Sequence, residues 1–299
     1  MKKIEKILVV IDANEDYSDA PDGLPMELRK ALRFVDDKDA GEIKLLSVGY
    51  QKYLHHHFHS IGYDYTSMRK EYMEKLKANM DVLVTKLSAD GYKISCEVGW
   101  HHPRYEAIVD AAQEFGADLV VQHCRAYATI EHFHLTHDSW NLVKHCPLPL
   151  LLVKDKDWGE LVTFSAAVDP MHAHGKPTGL DTLILDLASS AAKQVSGDLH
   201  VIHAYAESAR PFASAGKIKE EHETAFNELL SNYDFAEDKV HFIDETPVFA
   251  LHDYSEKLDS DVVVMGVISR SRLQEALIGS TAEQVLDYVK TDVFIIKPQ

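Results

Sequence analysis

The sequence has few cysteines and few basic residues for its length. Its 299 residues contain three cysteines, Cys96, Cys124 and Cys146, and none of them forms a Cys-x-x-Cys pair. An odd count without framework spacing predicts reduced thiols and a cytoplasmic protein. Lys and Arg number 31 against 48 Asp and Glu, which gives a net charge of −17. This balance argues against nucleic acid and membrane surfaces as partners, because both attract clustered basic side chains.

Targeting and membrane-spanning patterns are also missing. The first apolar run, Ile7–Ile11, is too short for the core of a secretory signal and ends at Asp12. No apolar stretch approaches the roughly 18 residues that a membrane-spanning helix needs. We therefore expect neither a signal peptide nor a transmembrane segment.

Several catalytic signatures are absent as well. The chain has no GxxxxGK[ST] loop, no GxGxxG after a strand and no GxSxG elbow. Glu275 is the only carboxylate between Gly266 and Thr281, and we interpret it as part of a solvated helix face. We predict that the protein is not an enzyme, with slow hydrolysis of a bound nucleotide as the most that it would catalyse.

What the sequence does contain is an alternation of short apolar runs and amphipathic segments. Runs such as Ile7–Ile11 and Val262–Met265 are typical of strands buried on both faces of a parallel sheet. The segment 66–89 carries its apolar residues at helical spacing. Repeated alternation of this kind predicts an α/β protein with a doubly wound parallel sheet.

This pattern occurs twice along the chain. The first strand of each half ends at an aspartate, Asp12 or Asp169, and an ungapped match at an offset of 143 pairs 118–121 with 261–264. Repetition at about 150 residues indicates a duplicated domain and not a solenoid. We predict two domains, at residues 1–155 and 156–299.

The most distinctive local pattern lies in the last forty or so residues. The run Val262–Met265 leads directly to Gly266, whose missing Cβ would let the backbone approach a ligand. After a polar loop, Ser280-Thr-Ala-Glu283 forms a capping box that predicts a helix start just after Gly279. The free N–H groups of a first helical turn attract anions. The stretch therefore predicts a phosphate cradle at the carboxyl end of a parallel sheet.

This stretch resembles the signature of the universal stress protein family, which is Gly, two residues, Gly, nine residues, Gly, and then Ser or Thr. Here the pattern reads Gly266, Ser269, Gly279 and Ser280, with Arg270–Ile278 as the nine-residue spacer. Ser269 replaces the second glycine, and its Cβ resists positive φ. The resemblance implies two tandem Rossmann-like domains of the adenine nucleotide alpha hydrolase-like kind, each a five-stranded parallel sheet with helices on both faces.

The resemblance also implies a stress-response regulatory protein that binds ATP, with Mg²⁺ as a companion ion, in its second domain. The adenine would lie near Asp169 and the region around Val201, and the phosphates would rest on the glycine loop. Binding of the nucleotide would change a surface that an unidentified protein partner recognises. The implied nucleotide-binding residues are Asp169, Val201, Met265, Gly266, Ser269, Arg270, Gly279, Ser280 and Thr281.

The first half departs from this signature. The positions that face Gly266, Ser269, Gly279 and Ser280 are His123, Ala126, Thr136 and His137. Larger side chains would fill the space that phosphates need, so we expect no nucleotide in this half. Its implied role is to replace the second subunit of the dimer that one-domain members form, with the fifth strands of the two halves paired. The chain would then be an intramolecular pseudo-dimer, and further homodimerisation stays open.

Two alternatives remain open from the sequence. The chain has 18 histidines, and His132, His134 and His137 are candidate zinc ligands, because zinc takes three or four nitrogen or sulfur donors. Their spacing fits no finger or HExxH motif, so polar loop composition is the favoured interpretation. If Ser269 distorts the glycine loop, the protein would instead be an interaction or carrier module for an apolar or sugar-nucleotide ligand.

Overall fold

The computed structural model describes residues 3–35, 37–51, 65–124, 135–171, 177, 179–207, 216–268 and 280–298, with the backbone alone for Tyr65 and Ser280. These residues form ten strands and eight α-helices, which confirms the α/β prediction. The strands are β1 Lys6–Val10, β2 Glu42–Gly49, β3 Lys93–Trp100, β4 Leu119–His123, β5 Leu150–Val153, β6 Thr163–Ala167, β7 Asp198–Tyr205, β8 Val240–Asp244, β9 Val262–Gly266 and β10 Asp292–Ile296. The helices are α1 Met26–Leu32, α2 Tyr65–Ala89, α3 Arg104–Phe115, α4 His137–His145, α5 Leu180–Gln194, α6 Lys217–Leu230, α7 Pro247–Lys257 and α8 Ser280–Tyr288.

The first of two compact units comprises Ile4–His123 and Thr136–Leu150. Its strands run in the order β3-β2-β1-β4, and all of these pairs are parallel. Leu8 and Val9 of β1 are fully buried, because β1 lies between two strands and its side chains point to both covered faces. This burial explains the unbroken apolar run in the sequence.

The second compact unit is built on Leu151–Gln299. Its strands run in the order β5-β10-β9-β6-β7-β8, and the pairs from β10 to β8 are parallel. Leu151–Val153 of β5 belong to this unit, so the fifth strands of the two repeats are neighbours, as predicted. The division of the chain at residue 155 stays a prediction.

A buried polar cluster joins the start of β10 to the end of α8 in the second unit. The fully buried carboxylate of Asp292 accepts the backbone N–H of Lys154 at 2.7 Å and the indole N–H of Trp158 at 2.8 Å. The ammonium of Lys154, also fully buried, donates to the carbonyls of Leu286, at 3.1 Å, and of Val289. These carbonyls end α8 and lack partners within the helix. Burial lowers the pKa of Lys154 to about 8.

Among the described residues, no helix combines the length and the apolar character that crossing a membrane requires.

We expect Asp292→Ala to lower the free energy of unfolding by about 2–4 kcal/mol, because each buried donor that loses its acceptor costs about 1–3 kcal/mol. Urea denaturation followed by circular dichroism would measure the change. Asp253→Ala is the matched control, since the Asp253 side chain is 70% exposed on α7 and an exposed ion pair contributes only about 0–1 kcal/mol. Equal losses in the two variants would contradict the assigned role of Asp292.

Candidate functional site

The carboxyl ends of β6 and β9 lie side by side in the second unit. Ala167 of β6 is opposite Met265 of β9. The next strand in the chain, β7, pairs with β6 on one side, and β9 pairs with β6 on the other side. The strand order therefore reverses between β6 and β9. Ligands of open α/β sheets bind outside the carboxyl ends of strands at such a reversal. Asp169 follows β6 and Gly266 ends β9, both half-buried, so these two predicted residues lie at the same edge of the sheet.

Gly266 has a packing reason to be glycine. A Cβ at this position would lie 2.8 Å from Cδ2 of Leu180 and 3.0 Å from Cδ1 of Ile184. Both side chains belong to α5 and are 1% exposed, so neither has room to move away. The missing Cβ therefore allows α5 to pack against β9. This packing explains the glycine without the close approach of a ligand.

The other predicted residues divide into buried and exposed ones. Val201 is fully buried within β7 and is paired with Ala166, one residue before the end of β6. Met265 is 5% exposed, and Thr281 is exposed in the first turn of α8. Ser280 is the first residue of α8, as the capping box predicts. Ser269, Arg270 and Gly279 lie outside the described residues.

A hydrogen-bonded pair of histidines lies directly beneath the end of β6, and the sequence analysis did not identify it. His203 of β7 is 1% exposed, and its Nδ1 lies 3.0 Å from the carbonyl oxygen of Val168. Its Nε2 lies 2.9 Å from Nδ1 of His222 on α6. Burial lowers the pKa of His203 to about 4, although the nearby charges of Asp169 and Asp181 act in the opposite direction.

A second pair lies on the opposite face of the same strand. Nδ1 of His200 is 2.9 Å from Nε2 of His241 on β8, and the His241 ring contacts Tyr254 of α7. Burial, and next the neighbouring His200, lower the pKa of His241 to about 4. The signal for both pairs was present in the sequence, because a polar residue on each inward face of the apolar run 199–204 requires a buried partner.

The sequence profile described as "Universal stress protein family" matches residues 3–154 and 180–297. The chain belongs to the universal stress protein family. The two matched regions confirm the tandem arrangement of family domains that the repeat predicts.

Similar proteins match the chain along its whole length. "Universal stress protein E" of Escherichia coli K12 is 26% identical and aligns with 100% of this chain and 95% of its own length. A "Universal stress protein E homolog" of Haemophilus influenzae is 22% identical, over 99% of this chain and 98% of its own length. The structure of PA1789 from Pseudomonas aeruginosa PAO1, titled as functionally unknown, is 25% identical, has a TM-score of 0.75 and covers 99% of this chain and 93% of its own.

The universal stress protein signature is missing from the first unit, and the start of α4 there differs accordingly. The hydroxyl of Thr136 accepts the backbone N–H of Ser139 at 3.1 Å. A side chain of the protein thus occupies one of the N–H groups that an anion would use. Asp12, which corresponds to Asp169, accepts the backbone and side-chain N–H groups of Asn14 in a local turn.

The candidate zinc ligands of the sequence are not brought together among the described residues. His132 and His134 lie outside the described residues, and His137 is exposed in the first turn of α4. Within the described part of the chain, no three His, Cys, Asp or Glu side chains come together in a way that could hold a metal ion.

We expect Gly266→Ala to lower the free energy of unfolding by about 1–3 kcal/mol, the usual cost of an extra methyl group in a packed core. Thermal and urea unfolding without any ligand would measure it. Gly99→Ala is the control, because a Cβ at Gly99 would meet no atom within 4 Å. The additional change Leu180→Ala should make the Gly266→Ala effect smaller. A full effect that persists in that background would contradict the packing explanation.

We also expect stability to fall on mild acidification. His203 and His241 have folded-state pKa values of about 4, against 6.5 in the unfolded chain. Below the higher value the unfolded chain binds more protons, so the free energy of unfolding falls between about pH 6.5 and pH 4, by up to about 1.4 kcal/mol per pH unit for each histidine.

Urea denaturation at several pH values in that range would check this expectation. The double variant His203→Phe, His241→Phe provides the control, because carboxylates elsewhere in the chain titrate equally in both proteins. It should show a shallower dependence on pH, and an unchanged slope would contradict the assignment.

Proposed function

We propose that this protein is a stress-response regulator that binds ATP at the carboxyl edge of its second repeat. Asp169 would lie near the adenine, and Gly279, Ser280 and the first turn of α8 would surround the phosphates. The observation that carries the proposal is that Asp169 and Gly266 lie at the sheet edge where the strand order reverses.

The first turn of α8 supports the same proposal. The helix begins at Ser280, one residue after the last glycine of the family signature. Its first backbone N–H groups have no partner within the helix, and the helix dipole favours an anion there. An acidic chain can hold a phosphate in this way, because main-chain amides supply the attraction. Mg²⁺ bound with ATP would offset part of the negative charge of the phosphates.

The first repeat, taken as residues 1–155, would act as a structural partner and not as a second nucleotide site. Thr136 satisfies an N–H group at the start of its helix α4, and the signature glycines are absent there. One nucleotide per chain follows from this asymmetry. A change at the occupied loop, read by a protein partner, is the regulatory output that we propose.

Titration calorimetry with ATP should give about one site per chain. Gly279→Val should raise the dissociation constant at least tenfold, or about 1.4 kcal/mol, because a branched side chain would take space next to the phosphates. Gly99→Val, at a position in the first repeat where a Cβ would meet no atom within 4 Å, should leave binding unchanged. Gly266 is unsuitable for this test, since any Cβ there disturbs α5.

Absence of ATP binding to the wild-type chain at millimolar concentration would refute the proposal. Mass spectrometry of ligands extracted from freshly purified protein provides a second measurement. Co-purified ATP would support it, whereas an apolar or sugar-nucleotide ligand together with no ATP affinity would favour the carrier alternative.

A further inference from the structure

Two side chains hold opposite ends of one peptide group at the candidate site. The group joins Val168 to Asp169, directly after β6. Its carbonyl oxygen lies 3.0 Å from Nδ1 of His203, and its N–H donates to Oδ1 of Asp181 at 2.9 Å. Both side chains are at least 98% buried. Because a peptide group is planar, the two bonds fix the orientation of the whole plane.

The protonation pattern of the histidine pair follows from these contacts. A carbonyl oxygen only accepts, so Nδ1 of His203 carries the proton in that bond. In the neutral ring Nε2 is then an acceptor, and Nδ1 of His222 must donate to it. Burial favours the neutral form of His203, as its lowered pKa indicates. His222, on α6 and 8% exposed, therefore selects the His203 tautomer that can hold Val168.

The neighbouring bonds make the carbonyl of Val168 dependent on His203. The N–H of Val168 continues the sheet by donating to Ile202 at 3.0 Å. The next peptide group, which includes the Val168 carbonyl, has left the ladder and has His203 and Asp181 as its partners. The direction in which the chain leaves the sheet at Asp169 is set by these buried side chains.

We propose that His203 and His222 are positioning residues of the nucleotide site, which hold the Val168–Asp169 peptide so that Asp169 faces the ligand. This inference rests on the proposed ATP site. Neither histidine touches the ligand; they act through the strand end. His200, which forms an equally short pair on the other face of β7, has no such role.

Matched amide substitutions separate the two bonds of His203. The amide nitrogen of Asn is bonded to Cγ, as Nδ1 is, so His203→Asn keeps a donor for Val168 and loses the contact with His222. The amide of Gln extends one bond further, as Nε2 does, so His203→Gln reaches towards His222 and loses the donor for Val168. His200→Gln controls for an amide in a buried histidine pair.

Calorimetry should give a dissociation constant for ATP about tenfold higher in His203→Gln, the effect of roughly one hydrogen bond. His203→Asn and His200→Gln should stay within about twofold of wild type. Equal affinities in all three variants would overturn the proposal, and so would an equal loss in His200→Gln, because that would indicate a general packing effect.

A readout without nucleotide distinguishes this inference from the proposed function. Hydrogen exchange of the Asp169 amide, followed by NMR, should be at least tenfold faster in His203→Gln than in His203→Asn or His200→Gln. If wild type binds no ATP but the exchange differs in this way, the proposed function fails while the structural role of the pair stands. Unchanged exchange in His203→Gln overturns the inference whether or not ATP binds.

Discussion

Burial of parallel strands on both faces is the constraint from which the candidate site follows. Parallel strands carry all their carboxyl ends to one edge of a sheet, so every loop that leaves β6 or β9 starts at the same place. Because β7 and β9 lie on opposite sides of β6, the strand order reverses there, and ligands of open α/β sheets bind at such a reversal. Asp169 and Gly266 owe their common place at this edge to the topology.

The buried polar residues of the second unit serve the ends of its elements. Asp292 holds the start of β10, Asp181 and His203 hold the peptide after β6, and Lys154 holds the last carbonyls of α8. Each of them forms hydrogen bonds with backbone groups that have no partner in a regular strand or helix. The free-energy cost of burying these polar side chains is therefore incurred where the chain changes direction. A binding site must be rigid at the same places. At the end of α8 the buried cation of Lys154 stabilises the negative end of the helix dipole.

Particular residues show which features of the structure could be predicted from the sequence and which could not. The strands and helices were predictable within a few residues because their apolar spacing is strong. The capping box placed the helix start at Ser280 correctly. Gly266 was assigned to a ligand because the sequence cannot show that Leu180 and Ile184 fill the space beside it. The histidine pairs could not be predicted from histidines that are close in sequence, because His203 and His222 come from different elements.

The two repeats differ in the residue that precedes the corresponding helix. In α4 the hydroxyl of Thr136 takes the N–H of Ser139, which stabilises the helix with the protein's own atoms. In α8 the position corresponding to Thr136 is Gly279, which has no side chain and so cannot cap. The first N–H groups of a helix find no acceptor within it, and a side chain, water or an anion can satisfy them. A glycine in place of Thr136 removes one protein acceptor from the helix start, and the proposal of a single nucleotide site per chain depends on this difference between the repeats.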